Sequence, residues 1–201
     1  MKKGNAVEKA VAMPNYGNPD AISDFPQGDA APWFAIAVRP RCEKAVARIL
    51  EMKGYETLLP LYSKKHKYAA GTKESKLPLF PGYVLCRLDP RAKVPILITP
   101  GVTHILGLGN TPWPLSDREI ISLRTVLNAH LRVQPFPFLP EGQKVRISHG
   151  VLAGVEATVM NCKQYLRLVL SITLLQRSVL IEVDRDRVRV EHAEQSFKLA
   201  A

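Results

Sequence analysis

A proline-dense stretch divides this sequence into two parts. Residues 131–140 contain three prolines and show neither a helical nor a strand period, which predicts a semi-rigid connector. With 201 residues, the chain is long enough for two small domains. We therefore predict a linker over 131–140, with one domain before it over 32–130 and a second domain after it over 141–192.

The first part begins with a strand and a helix. Trp33–Val38 is a β-type run, and apolar residues then recur at helical spacing over 41–54. These patterns predict a buried strand followed by an amphipathic helix. Two more strands are predicted over 55–61 and 79–88, with a polar loop over 62–78 between them.

The remainder of the first part completes an α+β pattern. A short helix is predicted within 89–99 and a strand over 102–108. Ser116 and Glu119 have the spacing of a capping box, which predicts a helix that continues to the end of the domain. This order of elements predicts a ferredoxin-like antiparallel sheet covered by helices.

The second part consists of short β-type runs separated by glycines. The runs lie over 144–148, 155–161, 166–173, 177–183 and 188–190. Five short strands at this spacing predict a small SH3-like β-barrel. The turn glycines, which we expect to adopt positive φ, are Gly142, Gly150 and Gly154. The polar residues 1–31 and 193–201 are interpreted as flexible tails.

The charge of the chain favours a polyanionic partner. The formal net charge is +10, with 28 Lys and Arg against 18 Asp and Glu, and such a surface attracts nucleic acid at long range. Charge alone leaves a merely soluble basic protein as an alternative. The lysines concentrate in the predicted loop, which is either a solvated tip or a DNA contact made through phosphates. The DNA-contact candidates are Lys64, Lys65, Lys67, Lys73 and Lys76.

No catalytic, metal or cofactor pattern emerges from the sequence. Nucleophile-elbow, phosphate-loop and zinc-protease motifs are absent. The three cysteines, Cys42, Cys86 and Cys162, are widely spaced and include no C-x-x-C pair, which argues against disulfides and zinc. Cys42 lacks a nominated His base. The absence of these motifs predicts a protein that is not an enzyme. Because neither a signal peptide nor a membrane span is recognisable, we predict a cytoplasmic location.

Two sets of motifs resemble the NusG family of transcription factors. The first set resembles its amino-terminal domain: Trp33-Phe34, Phe80-Pro81-Gly82-Tyr83-Val84 and Pro100-Gly101-Val102. The second set resembles the KOW motif of its carboxy-terminal barrel and spans 141–147 and 154–159. The resemblance implies a monomeric elongation factor that binds RNA polymerase, contacts DNA or RNA, and modulates pausing, termination or antitermination.

The resemblance also implies binding sites. An apolar face with Phe34, Phe80 and Tyr83 would receive the clamp helices of the largest polymerase subunit. Because neighbouring strand residues point to opposite faces, Phe80 and Tyr83 cannot both fill the core of a regular strand, and one is expected to be available.

In the barrel, Leu174, Leu175 and Arg177 match the family positions that meet the termination factor Rho or a NusE-type ribosomal protein. The family usually has an aromatic residue followed by glycine there, whereas this chain has Leu175-Gln176.

Two alternatives remain open at this point. A ribosome-associated or RNA-binding KOW protein would explain the second part but not the first. Within the family, the chain resembles either a general factor or a specialised RfaH-type or capsule-operon-type paralogue. In the latter the second domain can be helical, but the β-branched residues among 162–181 favour strands.

Overall fold

The protein combines helices with antiparallel sheets, which confirms the mixed helix-and-sheet class predicted from the sequence. The computed structural model describes residues 31–68, 71–139, 143–161, 166–184 and 188–192. Both predicted tails, except residue 31, together with Gly142 and Cys162, lie outside the described residues.

Among its described residues, the first part of the chain contains eight strands and three α-helices. In chain order they are β1 (Trp33–Val38), α1 (Glu43–Met52), β2 (Thr57–Leu58), β3 (Leu61–Tyr68), β4 (Gly71–Pro78), β5 (Tyr83–Arg87), α2 (Val94–Leu97), β6 (Val102–Ile105), β7 (Gly107–Leu108), β8 (Thr111–Pro112) and α3 (Asp117–Asn128). A 3₁₀ turn at Pro90–Ala92 precedes α2. Four of these strands form the first sheet, in the order β2-β5-β1-β6.

Strand β1 is central in the first sheet and is buried on both faces. Its alternate residues Phe34, Ile36 and Val38 pack with apolar residues of α1 and α2. The opposite face presents Trp33 and Ala35 to α3. A continuous apolar run is the composition that a strand covered on both sides requires, which explains why this segment has no polar positions.

A Trp33-centred cluster joins α3 to the first sheet. The guanidinium carbons of Arg87 and Arg124 lie 5.2 and 4.8 Å from the indole centroid. Glu56 pairs with both arginines, with its Oε2 3.2 Å from Arg87 Nη1. Cation–π contacts and this two-sided ion pair fix the direction in which α3 crosses the sheet.

The second part of the chain forms one six-stranded antiparallel sheet. Its strands are β9 (Arg132–Pro137), β10 (Gln143–Gly150), β11 (Glu156–Asn161), β12 (Leu166–Ile172), β13 (Arg177–Val183) and β14 (Val188–His192), in the order β14-β10-β11-β12-β13-β9. All five predicted strands are present. We refer to this as the second sheet; its closure into an SH3-like barrel remains a prediction.

The prediction of a connector without strand structure over 131–140 is wrong for Arg132–Pro137. These residues pair with β13, with Val133 opposite Ile181 and Pro135 opposite Val179. Proline lacks a ladder donor and is tolerated on an edge strand, and β9 is at the edge of the sheet. The prolines therefore belong to an edge strand, which the density of prolines in the sequence did not predict.

Two other local predictions are corrected. The predicted loop over 62–78 is the β3–β4 hairpin, whose register runs from Leu61 opposite Pro78 to Tyr68 opposite Gly71. Ser116 is the N-cap of α3 but makes no side-chain cap hydrogen bond. The capping box fails because the Glu119 carboxylate accepts hydrogen bonds from Thr173 instead.

Two apolar residues of α3 test whether burial in the fold determines stability. Leu123 is fully buried, whereas Ile121 is 63% exposed. Leu123→Ala should lower the free energy of unfolding by about 2–5 kcal/mol because it leaves a cavity. Ile121→Ala should change it by less than about 0.5 kcal/mol. Urea denaturation of both variants measures this difference, and equal losses would show that α3 is not packed as described.

Candidate functional site

The most distinctive local structure is the turn at residues 80–83, which we call the aromatic turn. Tyr83 N–H donates to the Phe80 carbonyl over 3.1 Å, and Val38 N–H donates to the Gly82 carbonyl over 2.8 Å. Gly82 has φ +85, a conformation that glycine adopts without strain. Phe80 thus precedes β5 in the turn, and Tyr83 begins the strand.

A buried carboxylate holds the aromatic turn in place. Gly82 N–H donates to Glu43 Oε1 over 2.9 Å, and Glu43 is buried in the first turn of α1. An N–H to carboxylate bond is stronger than a neutral one. Glu43 therefore connects α1 to the backbone between the two aromatics, a role that the sequence analysis missed because nothing in the spacing of 43 and 82 reveals it.

The three predicted aromatic site residues do not form one surface. Phe80 is 1% exposed and Tyr83 is half-buried, and both pack with the core on the α3 side of the first sheet. Phe34 is fully buried on the opposite face, with α1 and α2. The prediction that Phe34 shares a face with Phe80 and Tyr83 is wrong. Successive strand residues point to opposite sides, so Phe34 and its neighbour Trp33 lie on opposite faces of the sheet. Tyr83 is the accessible member of the pair.

The core that contains the aromatic turn also includes the second sheet. One continuous cluster joins Trp33, Phe80 and Leu123 to Leu170 and Leu175; we call it the shared core. Helix α3 packs against β12, and β3 contacts β9. The two parts of the chain therefore bury apolar surface against each other.

Polar contacts reinforce this packing at the β12–β13 connection. Glu119 Oε1 accepts from Thr173 Oγ1 over 2.7 Å and from Thr173 N–H over 3.2 Å. Burial raises the pKa of the Glu119 carboxyl above its usual value, and the two Thr173 hydrogen bonds oppose this effect. Keeping the Glu119 carboxylate ionised at this contact therefore costs desolvation free energy.

The turn that follows Thr173 carries the predicted partner residues of the second part. Leu175 is buried, Leu174 is half-buried in contact with the shared core, and Arg177 is exposed. Gln176 has φ 50 and ψ 43, the left-handed conformation that glycine favours. Gln176 Nε2 donates to the Thr173 carbonyl over 2.9 Å. The turn therefore retains a glycine-type backbone without a glycine.

Two of the predicted turn glycines lie in described turns. Gly150 has φ +97 and Gly154 has φ +84. Gly154 N–H donates to the Ile147 carbonyl over 2.7 Å, which closes the connection between β10 and β11. These glycines shape the second sheet and supply no chemistry.

The lysine-rich segment is a two-stranded hairpin with lysines on both faces. Lys64 lies opposite Ser75, and His66 lies opposite Lys73, which places Lys64 and Lys73 on one face. Lys65 and Lys76 lie on the other face with Glu74. The side chains of Lys64, Lys65, Lys73 and Lys76 are exposed, whereas the side chain of Lys67 lies outside the described part of the chain.

A cleft of about 380 Å³ lies between α3 and the second sheet. Its charged lining residues are Arg118, Glu119, Lys144 and Glu156. Among the described residues, no three or more His, Cys, Asp or Glu side chains converge at metal-binding distances. Burial raises the pKa of the Cys86 thiol to about 12, so this cysteine stays protonated at neutral pH.

None of the helices in the described ranges has the length and apolar character needed to cross a membrane.

Several known proteins that are similar to this chain carry the name NusG. Residues 31–124 match the family model described as "Transcription termination factor nusG". The Helicobacter pylori transcription termination/antitermination protein NusG is 27% identical over 173 residues, which is 78% of this chain and 96% of that protein. The Thermus thermophilus protein of the same name is 26% identical over 177 residues, with coverage of 78% and 96%.

A solved structure described as "Domain interaction in Thermotoga maritima NusG" is 19% identical and has a TM-score of 0.49, covering 81% of this chain and 97% of that one.

The raised pKa of Glu119 predicts a pH dependence of stability. Because the folded protein holds this carboxyl with a pKa above its usual value, stability from this group is fully present below the ordinary pKa and is lost as the pH rises through the raised value. Glu119→Gln mimics the protonated form. The unfolding free energy of this variant minus that of the unsubstituted chain should increase as the pH rises from below the ordinary pKa of glutamate through the raised pKa of Glu119.

Denaturant titrations across this range measure the difference. A constant offset at every pH would show that Glu119 is not desolvated at the contact. Glu51→Gln is the matched control, because Glu51 is exposed on α1 and its substitution removes the same charge.

Proposed function

The chain belongs to the NusG family, and from this premise we propose that it is a transcription termination or antitermination factor that binds transcribing RNA polymerase. The observation that supports polymerase binding best is the aromatic turn. Phe80 and the half-buried Tyr83 lie in this turn on one side of the first sheet, where apolar aromatic side chains can anchor a protein partner.

We propose that the partner surface on the polymerase is the clamp helices of its largest subunit. A helix presents an apolar stripe that fits a concave apolar surface. The aromatic turn belongs to the shared core, which the second sheet helps to form. Because Phe80 is only 1% exposed, we propose that the second sheet moves away from α3 when the polymerase binds.

The β3–β4 hairpin is proposed as the DNA contact. Its exposed lysines project from a two-stranded sheet of their own, and lysines attract phosphates irrespective of base sequence. Lys64 and Lys73 share a face without an acidic partner in register, whereas Lys65 lies opposite Glu74. The Lys64 face is therefore the stronger electrostatic contact.

The β12–β13 connection is proposed as the site for a second partner, Rho or a NusE-type ribosomal protein. Arg177 is exposed there, while Leu174 and Leu175 are covered to different degrees by the shared core. We propose that release of the second sheet from α3 makes these leucines more accessible. The same movement would thus make the polymerase site and the second site accessible.

The proposed mechanism is passive. A factor that binds the closed polymerase clamp more tightly than the open, paused one shifts the population toward elongation by its differential affinity. This requires no catalytic group on the protein.

RNA binding through the second sheet is the alternative function. It is favoured by Lys144 and Arg146, which are exposed on β10 and could neutralise phosphates. RNA binding through the second sheet would not explain the aromatic turn.

Tyr83→Ala tests the polymerase contact. Loss of an aromatic anchor should weaken binding to purified core RNA polymerase about tenfold or more. Tyr55→Ala is the matched control, because Tyr55 is also partly buried but packs on the opposite side of the first sheet. Affinity can be measured by fluorescence anisotropy of the labelled chain, with thermal unfolding as a check on folding. If both variants bind as tightly as the unsubstituted chain, the aromatic turn is not the polymerase site.

Two paired double variants separate DNA contact by the hairpin from RNA binding by the second sheet. Lys64→Gln with Lys73→Gln should reduce the dependence of log affinity for duplex DNA on log salt concentration by about one to two units. Lys144→Gln with Arg146→Gln removes the same charge from β10 and should leave that slope unchanged. The reverse result, with RNA binding abolished by the β10 variant alone, would favour the alternative function.

A further inference from the structure

The cleft between α3 and the second sheet is lined by two buried hydroxyl groups. Ser122 on α3 and Thr158 on β11 are each 7% exposed, and both line this space of about 380 Å³. Neither hydroxyl forms a hydrogen bond with another residue in the described part of the chain. Buried polar groups are normally hydrogen-bonded, because an unpaired one costs free energy. The two hydroxyls therefore indicate an occupant of the cleft that can form hydrogen bonds.

Strand pairing places a cation and an apolar side chain beside Thr158 on the floor of the cleft. Thr158 lies opposite Lys144 of β10 and opposite Val169 of β12. Residues directly opposite each other in antiparallel strands project from the same face of the sheet, so these three side chains form one row. Glu156 precedes Thr158 by two residues on β11 and shares this face. All four residues line the cleft.

Helix α3 forms the facing wall of the cleft. Arg118 and Ser122 are four residues apart, which makes them neighbours on one helix face, and both line the cleft. Glu119 also lines it and uses Oε1 for both Thr173 hydrogen bonds. Its Oε2 has no hydrogen-bond partner among the described residues. Because burial raises the pKa of this carboxyl, a cationic group in the cleft would stabilise the ionised form.

The charged side chains around the cleft are of both signs and are not paired with one another. Within the described ranges, no ion pair is formed by Arg118, Lys144, Glu119 or Glu156. A ligand of one charge sign would face two like charges, whereas a zwitterion can pair with both kinds. The cleft is also lined by apolar residues, among them Val169 and Phe138. The lining thus combines two cations, two anions, two hydroxyls and an apolar surface.

We propose that this cleft binds a small zwitterion with an apolar side chain, of the α-amino acid class. The ligand carboxylate pairs with Arg118 and Lys144, and the ammonium group pairs with Glu119 and Glu156. The hydroxyls of Ser122 and Thr158 complete the hydrogen bonds of these two groups. The volume of the cleft lies near the lower end of the range of about 300–1,000 Å³ for ligand pockets, which favours a small molecule over a segment of a macromolecule.

Binding of this ligand would also affect the contact between the two parts of the chain. Because α3 and the second sheet both line the cleft, the ligand binds the form in which they are in contact and stabilises that form by mass action. This consequence rests on the proposed function: if the second sheet moves away from α3 when the polymerase binds, the ligand weakens polymerase binding. Ligand binding itself does not depend on the proposed function.

Isothermal titration calorimetry of the full chain with the common amino acids tests the site. L-phenylalanine and L-leucine are the leading probes, and at least one amino acid with an apolar side chain should bind with a Kd of about 1 mM or lower. Phenylpropionate lacks the ammonium group and phenethylamine lacks the carboxylate, so each should bind at least about tenfold more weakly than L-phenylalanine. The proposal is overturned if no amino acid binds, or if a singly charged analogue binds as tightly as L-phenylalanine.

Two variants locate the ligand. Arg118→Gln should weaken amino acid binding about tenfold, and Thr158→Val should weaken it about fivefold. Thr158→Val keeps the shape of the side chain and removes an unpaired hydroxyl, so folding should be retained. The matched controls are Arg91→Gln and Thr125→Val, which change residues that do not line the cleft and should leave affinity unchanged. If both cleft variants bind the amino acid normally, the ligand binds elsewhere and the proposal fails.

The same amino acid, added to the polymerase-binding assay, separates the site from its proposed consequence. At a free concentration of about ten times its Kd, it should weaken polymerase binding by the unsubstituted chain about tenfold, with a smaller effect on Arg118→Gln. If the amino acid binds without changing polymerase affinity, the site stands and the competition is excluded. If the unsubstituted chain does not bind polymerase, the proposed function fails, and calorimetry alone decides the ligand site.

Discussion

The packing of α3 between two sheets is the constraint on which the rest of the structure depends. Leu123 and Val126 are buried in the shared core, which extends from Trp33 on the first sheet to Leu170 and Ile172 on the second. A helix that buries two sides needs a wider apolar face than a surface helix. Because apolar burial is non-directional, orientation must come from polar contacts, and the Trp33 cluster and the Glu119–Thr173 pair provide it at two points.

This arrangement links the accessibility of two candidate sites. The aromatic turn and Leu175 belong to the same shared core, so neither is fully available while α3 and the second sheet remain in contact. A partner that binds only when α3 and the second sheet are separated shifts the equilibrium between the packed and separated forms toward the separated form. Binding of one partner would then favour binding of the other. The hairpin lysines Lys64, Lys65, Lys73 and Lys76 lie outside the shared core and are exposed in this structure. Under the proposed separation of α3 from the second sheet, these lysines would be available for a first encounter before the shared core opens.

Local patterns in the sequence predict the elements well but not the relations between them. Strand β1, helix α1 and all five strands predicted after the linker were found close to the expected positions, because each has a period that depends on its own residues. The strand Arg132–Pro137 was not predicted, because it forms by pairing with β13, a tertiary contact that the local proline content does not reveal. Phe34 was grouped with Phe80 because spacing does not report which face of a central strand is covered by which helix. Glu43 was missed entirely, since its contact with Gly82 crosses 39 residues.

Glu119 illustrates how one residue can satisfy a local pattern and still be used elsewhere. At its position in α3 the carboxylate could accept from the backbone of the Ser116 N-cap, as the sequence pattern suggests, but its Oε1 accepts from Thr173, and Ser116 makes no side-chain cap hydrogen bond. The tertiary contact prevails even though burial disfavours the charge. The desolvation of the Glu119 carboxylate therefore offsets part of the stabilisation that its two Thr173 hydrogen bonds provide, and the contact serves mainly to orient α3 against the second sheet.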